Sequence, residues 1–251
     1  MKILAIDSSG LTAAAAVIED DIILAEYSIQ TGHTHSQTLL PLMEEIRSRI
    51  GLDLETIDAY AVAAGPGSFT GLRIGIATVK GLGVSIDKPV VAVPTLEALA
   101  YNLYGAGSLV CPIMDARRSQ VYTGIYEFTP VAGGCMMRPL LKQSAMAFED
   151  LCTRLNELGR PVIFTGDGIP VFAEKMKELL TCPYETAPAH MSRQRAASLA
   201  ALALAYLKGE IDSGFEGEVT DADGLTPIYL RLSQAEREKM ERGKREDGAG
   251  E

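Results

Sequence analysis

Short apolar runs separated by polar turns open the chain, and their lengths and β-branched content are typical of strands. The predicted strands of this first part are Lys2–Ile6, Ala13–Ile18, Ile22–Ile29, 58–64 and Val90–Val93. The acidic triplet at 19–21 predicts a hairpin turn between the second and third of them. The runs at 2–6 and 58–64 are apolar at nearly every position, which indicates strands covered on both faces.

Apolar residues that recur at intervals of three and four predict helices at 36–50, 71–86 and 95–104. In the first helix the apolar stripe consists of Leu39, Leu42, Met43 and Ile46. Pro41 is expected near the first turn, since a proline further inside would kink the helix. The second helix carries a similar stripe of Leu72, Ile76 and Val79.

A second unit begins after Gly105-Ala106-Gly107. Strands are predicted at 109–115, 120–128 and 162–165, and helices at 169–180 and 192–208. Strands mixed with helices in this order predict an α/β protein with mixed sheets flanked by helices. We expect an N-terminal lobe at 1–105, joined by the helix at 192–208, and a smaller lobe at 106–191. The charged tail at 232–251 is expected to be flexible.

The segment from Gly65 to Gly75 joins a predicted strand to a predicted helix through a glycine-rich turn. This layout gathers backbone N–H groups around an anion, and Ser68 and Thr70 are suited to capping the helix. The spacing matches neither GxGxxG nor GxxxxGK[ST]. An ordinary strand-to-helix turn therefore stays open beside a phosphate-binding loop.

Glycines continue into the helix as Gly71, Gly75, Gly81 and Gly83. Each glycine inside a helix costs about 1 kcal/mol relative to alanine. The usual compensation is the close approach of another backbone, so we expect a neighbouring segment to pack against these positions.

Composition narrows the function classes. The 251 residues carry a net charge of −10, which argues against a wide basic face for nucleic acid. None of the 4 cysteines forms a CxxC pair, so a zinc or dithiol site has no support. The N-terminal apolar run is too short for a signal peptide, and no apolar run reaches the length of a membrane span. We expect a cytoplasmic protein that does not bind a membrane.

Two predicted strands end in aspartate, where open α/β sheets place their ligands. Asp7 is followed by Ser8 and Ser9, and Asp115 by Ala116 and Arg117. Each aspartate could serve a phosphate site or could simply end its strand. His33 and His35 form HxH without an evident third ligand, which favours a loop or capping role.

Several motifs together resemble the bacterial TsaB family over nearly all of residues 1–231. They are Ile3–Ser9, His35-Ser36 with Leu40-Pro41, Gly65–Gly75, Asp115–Arg117 and Pro227–Arg231. The resemblance implies an actin-like, sugar-kinase-like (ASKHA) fold of two lobes. It also implies a non-catalytic subunit that supports a paralogue, TsaD, and works with a small ATPase, TsaE.

The resemblance implies that the complex transfers threonylcarbamoyl to the adenine next to the anticodon of tRNA. This chain would contact tRNA only indirectly, and ATP and metal would be used by the partner subunits. TsaD-like chains carry HxxxH where this chain has Thr95 and Leu99, which cannot replace imidazole as metal ligands. We therefore expect no catalytic residues, no metal and no tightly bound cofactor in this chain.

The family resemblance assigns two sets of residues. Periodicity alone favours helices that cover their own sheet, and it leaves open which side of each is outward. The resemblance instead implies a helix–helix interface with TsaD, or with a second copy when TsaD is absent, that comprises Leu39, Leu42, Met43, Ile46, Leu72, Gly75, Ile76 and Val79. The expected vestigial phosphate loops comprise Asp7, Ser8, Ser9, Gly65, Gly67, Ser68, Thr70, Gly71, Asp115 and Arg117. Asp7 and the glycine turn also keep an alternative open, an ATP-dependent sugar or acyl kinase on the same fold.

Overall fold

A computed structural model of the chain describes residues 1–31, 33–86, 88–210 and 218–231. The predicted tail at 232–251 lies outside these residues. Elements are numbered below in chain order.

The first sheet has six strands, which lie in the order β11-β5-β4-β1-β2-β3. Their bounds are β1 Lys2–Asp7, β2 Ala13–Glu19, β3 Ile22–Ile29, β4 Ala59–Gly65, β5 Val90–Pro94 and β11 Glu218–Thr220. Strand β1 pairs in parallel with β4 and antiparallel with β2, so the sheet is mixed. β4 and β5 continue the parallel part.

The second sheet has five strands in the order β10-β9-β6-β7-β8. Their bounds are β6 Leu109–Asp115, β7 Gln120–Val131, β8 Gly134–Ala147, β9 Val162–Thr165 and β10 Tyr184–Thr186. β6 pairs in parallel with β9 and antiparallel with β7, which repeats the arrangement around β1.

Six α-helices and a 3₁₀ turn at Leu54–Thr56 are found in the described residues. The helices are α1 His35–Ile50, α2 Phe69–Ile86, α3 Thr95–Tyr101, α4 Phe148–Leu158, α5 Ile169–Leu179 and α6 Ala196–Lys208. Helix α1 ends at Gly51, which adopts a left-handed φ of 60° as a C-cap.

The first sheet is buried on both faces because the side chains of a strand alternate between them. In β1, Ile3 and Ala5 face a core shared with α6, whereas Leu4 and Ile6 face the core that α1 and α2 cover. Because β1 is apolar on both faces, its alternating side chains contribute to two separate cores. A third core lies between the second sheet and helices α4 and α5.

The predicted fold class, mixed sheets flanked by helices, agrees with this architecture. Helix α6 packs against β1 and β2 of the first sheet, although it follows the second unit in the chain. The lobe boundaries at 105 and 191 stay predictions.

Some elements differ from the predictions. Strands β8, β10 and β11 and helix α4 were not predicted. β8 is the second strand of a long hairpin with β7, and its buried and exposed positions do not alternate regularly. Strand β7 continues to Val131, beyond the predicted end at 128. Pro41 stands inside α1 rather than near its first turn. The helix tolerates it on an exposed face.

Candidate ligand cleft and partner face

A cleft of about 650 Å³ lies between the glycine turn that opens α2 and the turn that joins β6 to β7. Gly67, Ser68, Thr70 and Gly71 line one wall, and Asp115 and Arg117 lie among the residues of the other. The structure therefore brings together residues from both lobes that the sequence analysis assigned to phosphate-type loops.

The glycine turn is packed against the segment that follows β1. The Ser68 N–H donates to the Ser9 carbonyl at 2.7 Å, and the Ser68 hydroxyl accepts from the Gly71 N–H at 3.2 Å. A Cβ at Gly67 would overlap the Ser9 carbonyl oxygen, and one at Gly71 would overlap that of Ser8. Glycine at these two positions therefore allows the backbone after β1 to approach the turn closely. The sequence predicted such a neighbour from the glycines in the helix.

The approach explains only part of the glycine pattern. A Cβ at Gly75 would lie 2.5 Å from the Ser8 hydroxyl oxygen, so this position is also crowded. At Gly81 a Cβ would meet nothing within 4 Å. The prediction of a packed neighbour is confirmed at the start of α2 and is wrong at Gly81.

Asp7 is buried beneath this turn, with 1% of its surface exposed. The N–H and the hydroxyl of Ser9 donate to Asp7 Oδ1 at 2.9 Å and 2.6 Å. Burial raises the pKa of Asp7, and the hydrogen bonds from Ser9 oppose that rise. The carboxylate thus organises its own turn from below the cleft.

The segment 225–231, here called the strap, closes one side of the cleft. The Ile228 N–H donates to the Ala64 carbonyl at 2.7 Å, and the Ile228 carbonyl fills the space beside Gly65, whose φ is 121°. Tyr229 stacks on Phe69 with ring centroids 5.0 Å apart. The Arg231 guanidinium donates to the Ala116 carbonyl of the second lobe.

Sequence reasoning missed this role of the strap. The only signal was the apolar and basic run at 227–231, which carried a family resemblance but no periodicity. Because its partners are distant in the chain, no local pattern could place it.

The β6–β7 turn on the opposite wall has an unusual backbone. Arg117, Arg118 and Ser119 all have positive φ, at 66°, 55° and 58°. Each such residue costs about 1–2 kcal/mol when it is not glycine. Asp115 holds the turn, since its carboxylate accepts from the Arg117 N–H at 2.8 Å and from the Arg117 guanidinium at 3.1 Å.

The two histidines of HxH take separate positions. His33 is exposed, whereas His35 begins α1 and its Nε2 donates to the Gly10 carbonyl at 2.8 Å. Among the described residues, no group of three or more His, Cys, Asp and Glu side chains is arranged to hold a metal ion. His33 thus has the predicted loop position, whereas Thr34 rather than a histidine is the N-cap of α1.

The interface residues expected on α1 and α2 require a correction. Six of the eight face the core of the chain itself and are buried: Leu39, Ile46, Leu72, Gly75, Ile76 and Val79. Leu42 and Met43 are partly exposed. The apolar stripe that the periodicity reveals is the one that covers the first sheet, so these six residues cannot form an outward contact in the folded chain.

The outer faces of the same helices carry other apolar residues. Leu40 of α1 is 60% exposed, and on α2 Ile74 is partly exposed and Ala77 exposed. Met43 and Ile74 are only partly exposed, since both also pack against the core under the helices. Helices α1 and α2 lie side by side on the first sheet, so these residues belong to one surface, which we call the α1–α2 face.

Comparison with known proteins decides the family. The model of the family described as "TsaD: tRNA N6-adenosine threonylcarbamoyltransferase" matches residues 28–239. The tRNA threonylcarbamoyladenosine biosynthesis protein TsaB of Bacillus subtilis is 34% identical over 241 residues, which cover 96% of this chain and 99% of that protein. The chain belongs to the TsaB family.

Two further similarities agree with this membership. The TsaB protein of Escherichia coli is 34% identical over 129 residues, which cover 51% of this chain and 55% of that protein. The structure of YeaZ from Pseudomonas aeruginosa superimposes with a TM-score of 0.72 at 26% identity, over 91% of this chain and 99% of that one. The predicted α/β class with mixed sheets flanked by helices is confirmed, and the chain shares its fold with YeaZ.

Within the described ranges, no helix is both long enough and apolar enough to pass through a bilayer.

Proposed function

We propose that this chain is a non-catalytic subunit in tRNA threonylcarbamoyladenosine synthesis, where it pairs with a TsaD-type transferase and activates it. TsaE and tRNA would join through that complex, and ATP and metal would act in the partner subunits. In the absence of TsaD, the α1–α2 face would pair with a second copy of this chain. The observation that carries the proposal is the packing of the chain's own backbone into the glycine turn.

That packing opposes nucleotide chemistry in this chain. A phosphate-binding loop leaves its amide groups open to the ligand. Here the Ser8 and Ser9 carbonyls lie against Gly71 and Gly67, and the Ser68 N–H is bound to Ser9. The kinase alternative needs an open loop at this place, so the structure favours the subunit over the kinase.

The residues in place of the TsaD-type histidines support the same conclusion. Thr95 and Leu99 lie on α3 with 0% and 1% of their surface exposed. Their side chains pack into the interior, and neither is a metal ligand of the kind that imidazole is. A transferase site would therefore have to come from the partner.

The α1–α2 face is the surface that we assign to the partner. It joins exposed apolar residues of two adjacent helices, a form of surface that pairs with helices of another chain. Leu40 and Ala77 are its exposed apolar members, and the partly buried Met43 and Ile74 border them. The buried residues below them hold the face rigid rather than contact the partner.

The test is tRNA modification with purified components, each omitted in turn, together with co-purification on a tagged TsaD-type partner. We expect modification only when both chains are present. Leu40→Glu should abolish both co-purification and modification. Val171→Glu is the matched control, because Val171 is also an apolar helix residue, 57% exposed against 60% for Leu40.

Two results would contradict the proposal. One is modification by the partner at full rate without this chain. The other is phosphoryl transfer from ATP to a sugar or acyl acceptor by this chain alone. If Leu40→Glu still pairs at the affinity of Val171→Glu, the assignment of the α1–α2 face is wrong even though the subunit role stands.

A further inference from the structure

Four arginines lie at the cleft or directly beside it: Arg117 and Arg231 line it, Arg73 contacts the lining residue Tyr229, and Arg118 follows Arg117 in the chain. The Nε of Arg73 donates to the Tyr229 hydroxyl at 3.1 Å. Two residues further along the strap, Arg231 donates to the Ala116 carbonyl and, at 3.5 Å, to that of Arg117. Arg118 follows directly in the β6–β7 turn. We call Arg73, Arg117, Arg118 and Arg231 the arginine rim.

The rim is positive in a chain whose net charge is −10. The only acids that line the cleft in the described part of the chain are Asp115 and Asp167, and Asp115 is paired with Arg117. Within the same described residues, no carboxylate forms an ion pair with Arg73, Arg118 or Arg231. Positive charge is therefore concentrated at this edge.

Several exposed arginines elsewhere are paired with acids. Arg47, Arg49, Arg138 and Arg160 each lie within 3.1 Å of a glutamate oxygen. Arg154 is exposed and forms no ion pair among the described residues. The rim is therefore distinguished by the grouping of its arginines around one cleft, three of them without a carboxylate partner.

Aromatic rings are interleaved with the rim. The Arg73 guanidinium lies 3.9 Å from the centre of the Phe69 ring, and Phe69 stacks on Tyr229. Tyr229 is 42% exposed, so part of its ring is open to a further planar group. Arginines that track phosphates beside aromatic rings that stack on bases are the combination by which proteins bind single-stranded nucleic acid.

Two of the exposed arginines lie in a turn whose backbone conformation is energetically unfavourable. Arg117 and Arg118 both have positive φ, and the Arg117 side chain is 86% exposed. A turn that served only to join β6 to β7 would relax with glycine or asparagine at such positions. Here Asp115 and the strap hold the strained turn in place, and its two guanidinium groups point outward.

From these contacts we infer that the arginine rim binds the phosphates of a single-stranded RNA segment, with a base stacked on Tyr229. The inference deepens the proposed function and rests on it, because it gives this chain a direct contact with the RNA substrate of the complex. The negative charge of the whole chain disfavours a wide nucleic-acid-binding surface. The rim is a narrow binding surface of four arginines.

The experiment measures binding of a fluorescent anticodon stem–loop RNA to the complex of this chain with its TsaD-type partner, over a range of salt concentrations. The variant is Arg117→Glu combined with Arg118→Glu. We expect about tenfold weaker binding at low salt, and a plot of log affinity against log salt whose slope is smaller by about 1.4, since each lost contact on single strands removes about 0.7.

The matched control is Lys142→Glu combined with Arg154→Glu. It makes the same charge change at exposed positions of the second lobe that do not line the cleft, and its RNA affinity should stay within about twofold of the wild type. A second variant, Tyr229→Leu, should weaken binding without changing the salt slope, because stacking releases no counterions.

The outcomes separate this inference from the proposed function. If the wild-type chain fails to assemble with the partner or to support modification, the proposed function fails. If assembly is normal and the Arg117→Glu, Arg118→Glu variant binds RNA with unchanged affinity and slope, only the rim is refuted. Complete displacement of the RNA by free ATP would also overturn the inference, since the rim would then be a mononucleotide site.

Discussion

The Ser8 hydroxyl donates a hydrogen bond of 2.9 Å to the carbonyl oxygen of Gly71, and the Ser8 carbonyl fills the space into which a side chain at Gly71 would extend. These two contacts join the end of β1 to the first turn of α2. They explain why position 71 of the helix is a glycine.

Gly71→Ala should therefore destabilise the chain by about 1–3 kcal/mol, because a backbone carbonyl cannot move aside without disturbing β1. Denaturant unfolding of the isolated chain measures this. Gly81→Ala is the control, since a Cβ there meets nothing within 4 Å. It should stabilise the chain by about 0.5–1 kcal/mol through helix propensity. Equal effects of the two substitutions would show that the contact is unimportant.

Asp7 should make stability depend on pH. Its folded pKa is raised above the ordinary value of 3.8, chiefly by burial. The folded state therefore binds the proton more tightly than the unfolded state, and stability rises as the pH falls through the folded pKa toward 3.8. Asp7→Asn should lose this component. Unfolding measured from neutral to mildly acidic pH should show the stability of the wild type increasing relative to the variant, and parallel curves would contradict the assignment.

Glu26 should be important for the attachment of α6. Its carboxylate accepts from the Ala197 N–H at 3.1 Å and pairs with Arg195, and its side chain is 15% exposed. Glu26→Ala leaves the start of α6 and a half-buried guanidinium without their partner, which should cost about 2 kcal/mol.

The exposed pair of Glu45 with Arg49 supplies the comparison. Glu45→Ala should change the free energy of unfolding by less than about 0.5 kcal/mol, because solvent screens that pair. Chemical denaturation of both variants tests the difference. A loss at Glu26 no larger than that at Glu45 would remove the proposed role in holding α6.

The cysteines should differ in reactivity. Burial raises the pKa of the Cys111 and Cys152 thiols to about 12, and Cys182 shifts in the same direction. Since the thiolate is the reactive species, a thiol reagent at mildly alkaline pH should modify only the partly exposed Cys135 quickly. All 4 should react once the chain is unfolded in denaturant. Fast modification of Cys111 in the native protein would contradict its burial.

Much of the fold could be predicted from local pattern. The apolar runs that became β1 and β4, and the three-and-four spacing that became α1 and α2, report burial directly along the chain. The glycines at the start of α2 likewise predicted a close neighbour, since glycine inside a helix needs such a compensation. The polar and apolar residues of β8 mix without a clear period, and that strand was missed.

The sequence by itself determined the α/β class with two groups of strands, and it placed an aspartate, Asp7 or Asp115, at the end of one strand in each group. It also showed threonine and leucine, at positions 95 and 99, where TsaD-like chains have histidines. Only the tertiary structure decided which side of α1 and α2 is outward, because a stripe that covers a sheet and one that binds a partner have the same periodicity. It alone also placed the strap, whose contacts with Ala64, Phe69 and Ala116 join residues far apart in the chain. Local pattern records how deeply a residue is buried, whereas the identity of its neighbour depends on the path of the whole chain.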